Sequence, residues 1–448
     1  MKYLTRKIDR ILADWSQDAH RKPLIVKGAR QIGKTESIRH FAAGRYESVI
    51  EVNFVERPEY RTIVDGGFSA AEIVRRTSLI DPTLRFVPGK TLLFFDEIQE
   101  FPEIATSLKF FAQDGRFDVI ASGSLLGVHY KRIASHSMGY KTEMEMRALD
   151  FEEYLWALGY DTGFIDGVFE HMVERRPFDR LEHGILRERF LDYCTLGGMP
   201  EVLAGYLERN SFEGYDELQR QLVEGWRGDA RKYAEGLDQS RILNVLDHVP
   251  AQLAKENRKF QVSKLGHGAR FRDYRGCVEW LADAGIVMPC HCLLSPTLPL
   301  RGNYDPDKFK LYLADTGLLV SMLEPQIRRD LRIHRDFGIW GGALHENIVA
   351  EALRKSGFDL FYWKRDETPL EEDFFVRDAH SLVPVEVKAG NGRSRSLRTL
   401  IDDPRYGDIR WGVKFADANI GFENSILTLP WFTAFLLSRF LEESGVKD

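Results

Sequence analysis

Gly28-Ala29-Arg30-Gln31-Ile32-Gly33-Lys34-Thr35 follows the apolar run Leu24-Ile25-Val26 and precedes Glu36-Ser37-Ile38-Arg39-His40-Phe41-Ala42-Ala43. The first run, introduced by Pro23, reads as a buried strand and the last as a helix, so the spacing G-x-x-x-x-G-K-T falls in strand–loop–helix context. Glycines let a backbone wrap a polyphosphate, and consecutive N–H groups at the head of a helix then point at the anion. On this reading Gly28 to Thr35 and Glu36 line a nucleoside triphosphate, Lys34 reaches its β- and γ-phosphates, and the Thr35 hydroxyl ligates magnesium. A glycine turn that binds nothing is the alternative; a second motif downstream argues against it.

That motif is Thr91-Leu92-Leu93-Phe94-Phe95-Asp96-Glu97, an apolar run ending in two carboxylates. At the carboxyl end of a central strand, Asp96 is placed to hold hydrated magnesium and Glu97 to polarise the attacking water. Val49-Ile50-Glu51-Val52-Asn53-Phe54 reads as another strand, and Phe117-Asp118-Val119-Ile120-Ala121 runs into Ser122-Gly123-Ser124. Ser122, with Ser124 second, is the expected contact to the γ-phosphate or the water; a plain turn is the other reading. Tyr3, Leu4, Ile8, Ile11, Leu12 and Trp15 form a helical stripe over residues 3–15. Strands alternating with helices predict a doubly wound, parallel α/β sheet.

Composition bounds the rest. With 448 residues, about three domains are expected. Lys and Arg number 62 against 68 Asp and Glu, a net charge of −6, so any nucleic-acid surface has to be local. Cys194, Cys277, Cys290 and Cys292 are too few for a disulfide framework, no apolar run opens the sequence, and no stretch has the length of a membrane span. The expectation is a cytoplasmic protein. Cys290-His291-Cys292 matches no common zinc spacing and reads as buried thiols in a strand.

The loop Gly28–Thr35, Asp96-Glu97-Ile98-Gln99, Ser122-Gly123-Ser124 and Leu149-Asp150-Phe151-Glu152-Glu153-Tyr154-Leu155 together resemble the AAA-type ATPases of prokaryotes. Gly197-Gly198-Met199-Pro200-Glu201 also fits, with Met199 where the family often has an aromatic residue. The resemblance implies ATP as the nucleotide, a winged-helix segment and a restriction-endonuclease-like C-terminal domain. An arginine from a neighbouring subunit of a homo-oligomer is common in such enzymes; Arg132 and Arg147 follow the last core strand as candidates, but a solvated surface arginine is the favoured reading, so no arginine finger is assigned. The division expected is an ATPase domain over 1–205, a helical connector and winged helix over 206–330, and a nuclease-like α/β domain over 335–448.

In the middle segment, 206–235 reads as a charged helical connector. Helices are expected over Ile242–Ala254, Val262–Gly266 and Asp273–Gly285, then strands Ile286–Met288 and Phe309–Leu313, the order of a winged helix-turn-helix. Residues 258–275 hold Arg258, Lys259, Lys264, Arg270, Arg272 and Arg275 against Asp273, a balance of +5, interleaved with Phe260, Phe271 and Tyr274. Such a patch can neutralise DNA phosphates; winged helices also dock proteins.

In the last segment, Glu346 lies in an amphipathic helix, Asp373 at a strand entry, and Glu386 and Lys388 two apart in a strand, on one face. The order Asp…Glu-x-Lys with a helical Glu upstream resembles the restriction-endonuclease-like superfamily. That resemblance makes Asp373 and Glu386 magnesium ligands with the Val387 carbonyl, Lys388 the group that orients the nucleophile, and Glu346 an assistant. Carboxylates with a lysine can activate water on a phosphodiester. Ser394 and Ser396 follow without an assigned role, and Trp431–Leu437 reads as a closing core helix. Three functions stay open: an ATPase with a nuclease domain, an ATP-dependent switch whose nuclease-like fold is inert, and an NTPase with no nucleic-acid partner.

Overall fold

The computed structural model describes residues 3–124, 139–234, 237–255, 258–334, 340–365 and 370–443. The chain divides into two compact units, Met1–Ala148 with Asp283–Gly285, and Leu149–Ala282 with Ile286–Asp448. The units part at 148, not at the expected 205.

The first unit opens with α1 (Lys7–Gln17), β1 (Leu24–Lys27), α2 (Lys34–Ala42), β2 (Ser48–Asn53), α3 (Ala70–Ile80) and β3 (Thr91–Asp96). It continues with α4 (Ser107–Asp114), β4 (Asp118–Gly123) and β5 (Thr142–Glu145). The strands form one sheet in the order β2-β3-β4-β1-β5, and every neighbouring pair is parallel. A parallel sheet is covered on both faces, which explains why Leu92, Leu93, Phe94 and Phe95 are all fully buried. The expected helix over 3–15 begins only at Lys7, and Ile11 leaves the stripe, 48% exposed. Tyr3 instead stacks on His40 of α2 at 3.8 Å.

The second unit begins with α5 (Phe151–Ala157), α6 (Thr162–Val173), α7 (Arg180–Leu196), α8 (Pro200–Arg209), α9 (Tyr215–Tyr233), α10 (Gln239–Leu253) and α11 (Phe271–Asp283). α5 is started by a reciprocal cap: Glu153 N–H donates to Asp150 (2.9 Å) and Asp150 N–H to Glu153 (3.0 Å). Helix α9 buries Tyr215, Gln219, Leu222, Val223, Trp226 and Ala230, spaced three and four apart, so the expected connector is a core helix. At the start of the unit, Leu149 is pinned from both sides. Its N–H donates to Gly198 O (2.8 Å), and its carbonyl accepts from Tyr193 (2.7 Å) and Lys355 (2.8 Å).

After α11 come β6 (Val287–Leu293), β7 (Tyr304–Leu313), α12 (Thr316–Ser321), α13 (Pro325–His334), α14 (Gly341–Lys355), β8 (Phe361–Lys364), β9 (Glu371–Glu372), β10 (Phe374–Arg377) and β11 (Leu382–Val387). The unit closes with α15 (Arg395–Asp402), β12 (Gly412–Ala416), β13 (Gly421–Glu423), β14 (Ile426–Pro430) and α16 (Leu437–Glu443). Where a second helix of the triad was expected, Val262–Lys264 makes a single 3₁₀ turn. The β6–β7 hairpin is present but is no free wing: β6 pairs parallel with β8 on its other edge, in a sheet ordered β7-β6-β8-β9. Leu293 of that hairpin shares a core with Phe361, Trp363, Phe375, Leu382 and Leu400, so the expected break at 330–335 runs through continuous packing. The other sheet is mixed, ordered β10-β11-β12-β14-β13. Trp431–Leu436 is a buried 3₁₀ segment leading into α16. Among the described residues no helix is long and apolar enough to cross a membrane.

A Cβ added to Gly198 would sit 1.9 Å from the Leu149 carbonyl oxygen, so that turn tolerates no side chain. Gly198→Ala is expected to destabilise the protein by about 1–3 kcal/mol through overpacking. The check is its thermal midpoint beside the parent's; equal midpoints would mean the turn yields freely.

Candidate functional site

The sheet order puts β4 between β1, which carries the glycine loop, and β3, which carries the acids. Ser122 pairs in register with Val26, and Ala121 with Phe95, so three strand ends converge. Asp96 is the focus. Its carboxylate, 2% exposed, accepts hydrogen bonds from the hydroxyls of Ser122 and Thr35 (3.0 Å for Thr35) and from the Asn53 amide at 3.4 Å. Burial pushes this carboxyl above the usual carboxylate range and the Glu97 charge adds to the rise, while the bonds from Ser122 and Thr35 oppose it.

The loop has the shape its glycines permit. Gly33 caps α2 in the left-handed region (φ 90), where a side chain would be strained, and a Cβ on Gly28 would meet Met146 O at 2.2 Å. Gln31 is also left-handed (φ 62) and Ile32 is buried. The Lys34 ammonium donates to the carbonyls of Gly28 (3.1 Å) and Ala29 (2.7 Å), and so stands at the mouth of the loop between Ala29-Arg30 and the head of α2. Glu36 is exposed and pairs with Arg39 at 3.0 Å.

Glu97 leaves β3 with φ 55, a left-handed conformation that is costly for a non-glycine residue. The Gln99 amide donates to its carboxylate, and the Gln99 oxygen accepts from Ser124 N–H at 3.1 Å. Gln99 therefore ties Glu97 to the end of β4. Ser124 Oγ is buried and has no hydrogen-bond partner among the described residues. Sequence reading passed over Asn53 and Gln99. Asn53 ends β2 in register with Asp96, and Gln99 sat unassigned inside the quoted motif. Arg132 lies outside the described residues, and Arg147 pairs with Glu145 at 2.7 Å.

These residues fit a magnesium–nucleotide complex: a loop closed to any Cβ at Gly28, an ammonium at its mouth, and a hydroxyl–carboxylate pair, Thr35 and Asp96, suited to a hard cation. Lys34→Ala should weaken ATP binding at least about tenfold, the scale of a charge-assisted contact. Titration of a fluorescent ATP analogue reads this, and an unchanged affinity would remove Lys34 from the site.

The C-terminal acids form a second cluster. Glu346, fully buried on α14, is bound by Lys310 Nζ at 2.9 Å and also by Arg258 and the Tyr312 hydroxyl. Lys310, 1% exposed, lies 3.2 Å from Glu371 and 3.6 Å from Asp373 as well. Glu346 is thus the anchor of an internal ion cluster, not a group free to assist at a metal. Asp373 accepts the Val387 N–H at 2.9 Å, and Glu386 pairs with Lys388 at 2.5 Å. Burial lowers the Lys388 ammonium's pKa, but the hydrogen bond and charge of Glu386 outweigh it and hold it above its ordinary value. Glu372, which sequence reading missed beside Asp373, is fully buried with neither oxygen partnered among the described residues. Burial, then the charges of Glu386 and Asp373, push its carboxyl well above the usual range. Among the described residues no three Asp, Glu, His or Cys side chains are gathered as a metal would need.

The basic stretch is only partly a surface. Arg258 turns inward to Glu346, Phe260 and Tyr274 are buried, and Phe260 and Phe271 pack on Phe309. Lys264, Arg270, Arg272 and Arg275 remain exposed, with Arg275 paired to Glu279 at 3.0 Å. All four cysteines are buried thiols.

Residues 20–155 match the family described as an AAA domain. Residues 187–327 and 341–432 match two domains of unknown function, DUF8612 and DUF4143. No curated protein matches the sequence. Among solved structures the chain is similar to a Walker-type ATPase of Pyrococcus abyssi, at 14% identity and TM-score 0.44, over 71% of this chain and 96% of that one. It is also similar to AMPPCP-bound DnaA from Aquifex aeolicus, at 12% identity and TM-score 0.28, over 62% and 88%. A third likeness is PCH-2 of C. elegans, at 9% identity and TM-score 0.26, over 44% and 59%. Likenesses this distant carry no functional weight; the family match and the loop geometry do. Residues 20–155 of this chain thus carry an AAA-type domain with a P-loop.

Proposed function

We propose that the protein binds and hydrolyses ATP at the loop of residues 28–35 and uses the nucleotide state to switch a nucleic-acid- or protein-binding second unit. The observation that carries the ATPase part is the convergence of the Thr35 and Ser122 hydroxyls on one buried carboxylate, Asp96. Magnesium would supply positive charge to offset that of the phosphates. Thr35 and Asp96 would hold it, and Lys34 would turn its hydrogen bonds from the loop carbonyls to phosphate oxygens. Glu97 accepts a proton from the attacking water as the bond between the γ-phosphorus and the bridging oxygen breaks, giving ADP and phosphate. Ser122 reads the change, because its hydroxyl and Thr35 share Asp96.

For the C-terminal acids, an inert scaffold is favoured by Lys310 and Arg258, cations of the chain itself that already neutralise Glu346 and flank Asp373. A magnesium-dependent nuclease is the second reading. It is supported by the Glu386–Lys388 contact and by both oxygens of Glu372 and Oε2 of Glu386, which have no hydrogen-bond partner among the described residues. In that reading Asp373 and Glu386 hold the metal and Lys388 the nucleophile. DNA contact through Lys264, Arg270, Arg272 and Arg275 belongs to both readings and predicts salt-sensitive binding.

One assay tests the role of Glu97 and a second separates the two readings of the C-terminal acids. Phosphate release should be lost in Glu97→Gln while ATP stays bound; turnover at the parental rate would overturn the role of Glu97. Labelled DNA with Mg²⁺ or Mn²⁺ should be bound but not cut, with or without ATP. Cleavage that disappears in Asp373→Ala and Lys388→Ala would establish the nuclease instead.

A further inference from the structure

Ahead of α1, Arg6 is 5% exposed and far in sequence from the loop it touches. Its Nη1 donates to the carbonyl of Ile32 at 2.9 Å, inside the glycine loop, and its Nη2 to the carbonyl of Arg147 at 2.6 Å, in the segment that follows β5. The root of the side chain is fixed as well. Arg6 N–H donates to Asp9 at 2.8 Å, and Asp9 accepts from Tyr3 at 2.5 Å, whose hydroxyl also reaches Ser37 of α2 at 3.1 Å.

A trans peptide is planar, with its C=O and the following N–H pointing in opposite directions. A guanidinium that holds the Ile32 carbonyl therefore also fixes the Gly33 N–H, which points the opposite way from that carbonyl. Gly33 heads α2, where unpaired N–H groups and the helix dipole attract an anion. The same segment after β5 meets the loop at its other end, where Gly28 lies against Met146 O too closely for any Cβ. The loop is thus braced at both ends on residues 146–147, and Arg6 is the brace at the phosphate-facing peptide.

We propose that Arg6 is a positioning residue for the polyphosphate: it presets the Ile32–Gly33 peptide so that its N–H faces the phosphate before nucleotide arrives. A planar guanidinium holds two N–H donors in a fixed fork toward carbonyls on two separate segments, whereas a lysine offers one compact ammonium on a flexible stem. Without it the loop has to reorganise during binding, and affinity falls by the population of the competent form. The inference rests on the loop being the nucleotide site.

The test compares Arg6→Lys with the parent chain, using ATP and inorganic tripolyphosphate as probes and the melting temperature as the measure of folding. The expected result is a loss of affinity of about tenfold for both probes, since the defect lies in the phosphate grip. In Arg6→Ala, millimolar guanidinium should restore part of that loss, which a fold-wide defect would not allow. Parental affinity in a folded Arg6→Lys, or weakened ATP with unchanged tripolyphosphate, would overturn the proposal. Should Arg6→Lys not fold, guanidinium rescue of Arg6→Ala decides alone: restored affinity supports the proposal and no restoration overturns it. Failure of the parent to bind either probe would instead remove the nucleotide site itself.

Discussion

The buried carboxylate of Asp96 is the constraint around which the first unit is arranged. A carboxylate withdrawn from water is costly unless donors surround it. Here those donors are Ser122 from β4, Thr35 from α2 and Asn53 from β2, three elements that meet only because the strands run parallel in the order β2-β3-β4-β1-β5. The hydroxyls serve two ends at once. They satisfy Asp96 in the folded protein, and they are the groups that a magnesium–nucleotide complex would engage. The apolar run Leu92–Phe95 keeps this carboxylate dry, which strengthens each bond to it.

In the second unit the corresponding constraint is Lys310. An ammonium 1% exposed is costly to bury without counter-charges, and Glu346, Glu371 and Asp373 supply them. Lys310 comes from the β6–β7 hairpin and Arg258 from the segment before it, so the region expected to stand apart as a winged helix contributes the counter-charges of the acidic cluster. That shared burial explains why hairpin and C-terminal strands have one core. It also weighs against a metal site at Glu346, since the chain already carries the neutralising charge.

What the sequence made legible was local. Gly28, Gly33, Lys34 and Thr35 lie within eight residues, and Asp96 and Glu97 close an apolar run, so spacing and strand pattern suffice. Asn53, Gln99 and Arg6 were not legible, because each acts through a partner set by strand register or by a turn with no signature of its own. In the second unit Glu386 and Lys388 were placed on one face by the period of a strand, and their contact follows. Glu346 was recognised as a helical acid, but its partners on β7 could not be. Phe260, Phe271 and Tyr274 interleave with bases in the sequence, but Phe260 and Phe271 pack on Phe309 and Tyr274 is buried, because aromatic surface is more stable packed than exposed to water. Counting charges along a segment does not distinguish an arginine that faces water from one, such as Arg258, that is claimed by a buried acid.

The claim most exposed to test is that the divalent cation belongs to Asp96 and Thr35 and needs the nucleotide to be held. Mn²⁺ titrated into the full chain, followed by its electron paramagnetic resonance signal, addresses it directly. One Mn²⁺ bound only in the presence of ATP, and lost in Asp96→Asn, is the result predicted here. Mn²⁺ held equally without nucleotide, or retained in Asp96→Asn, would contradict that assignment.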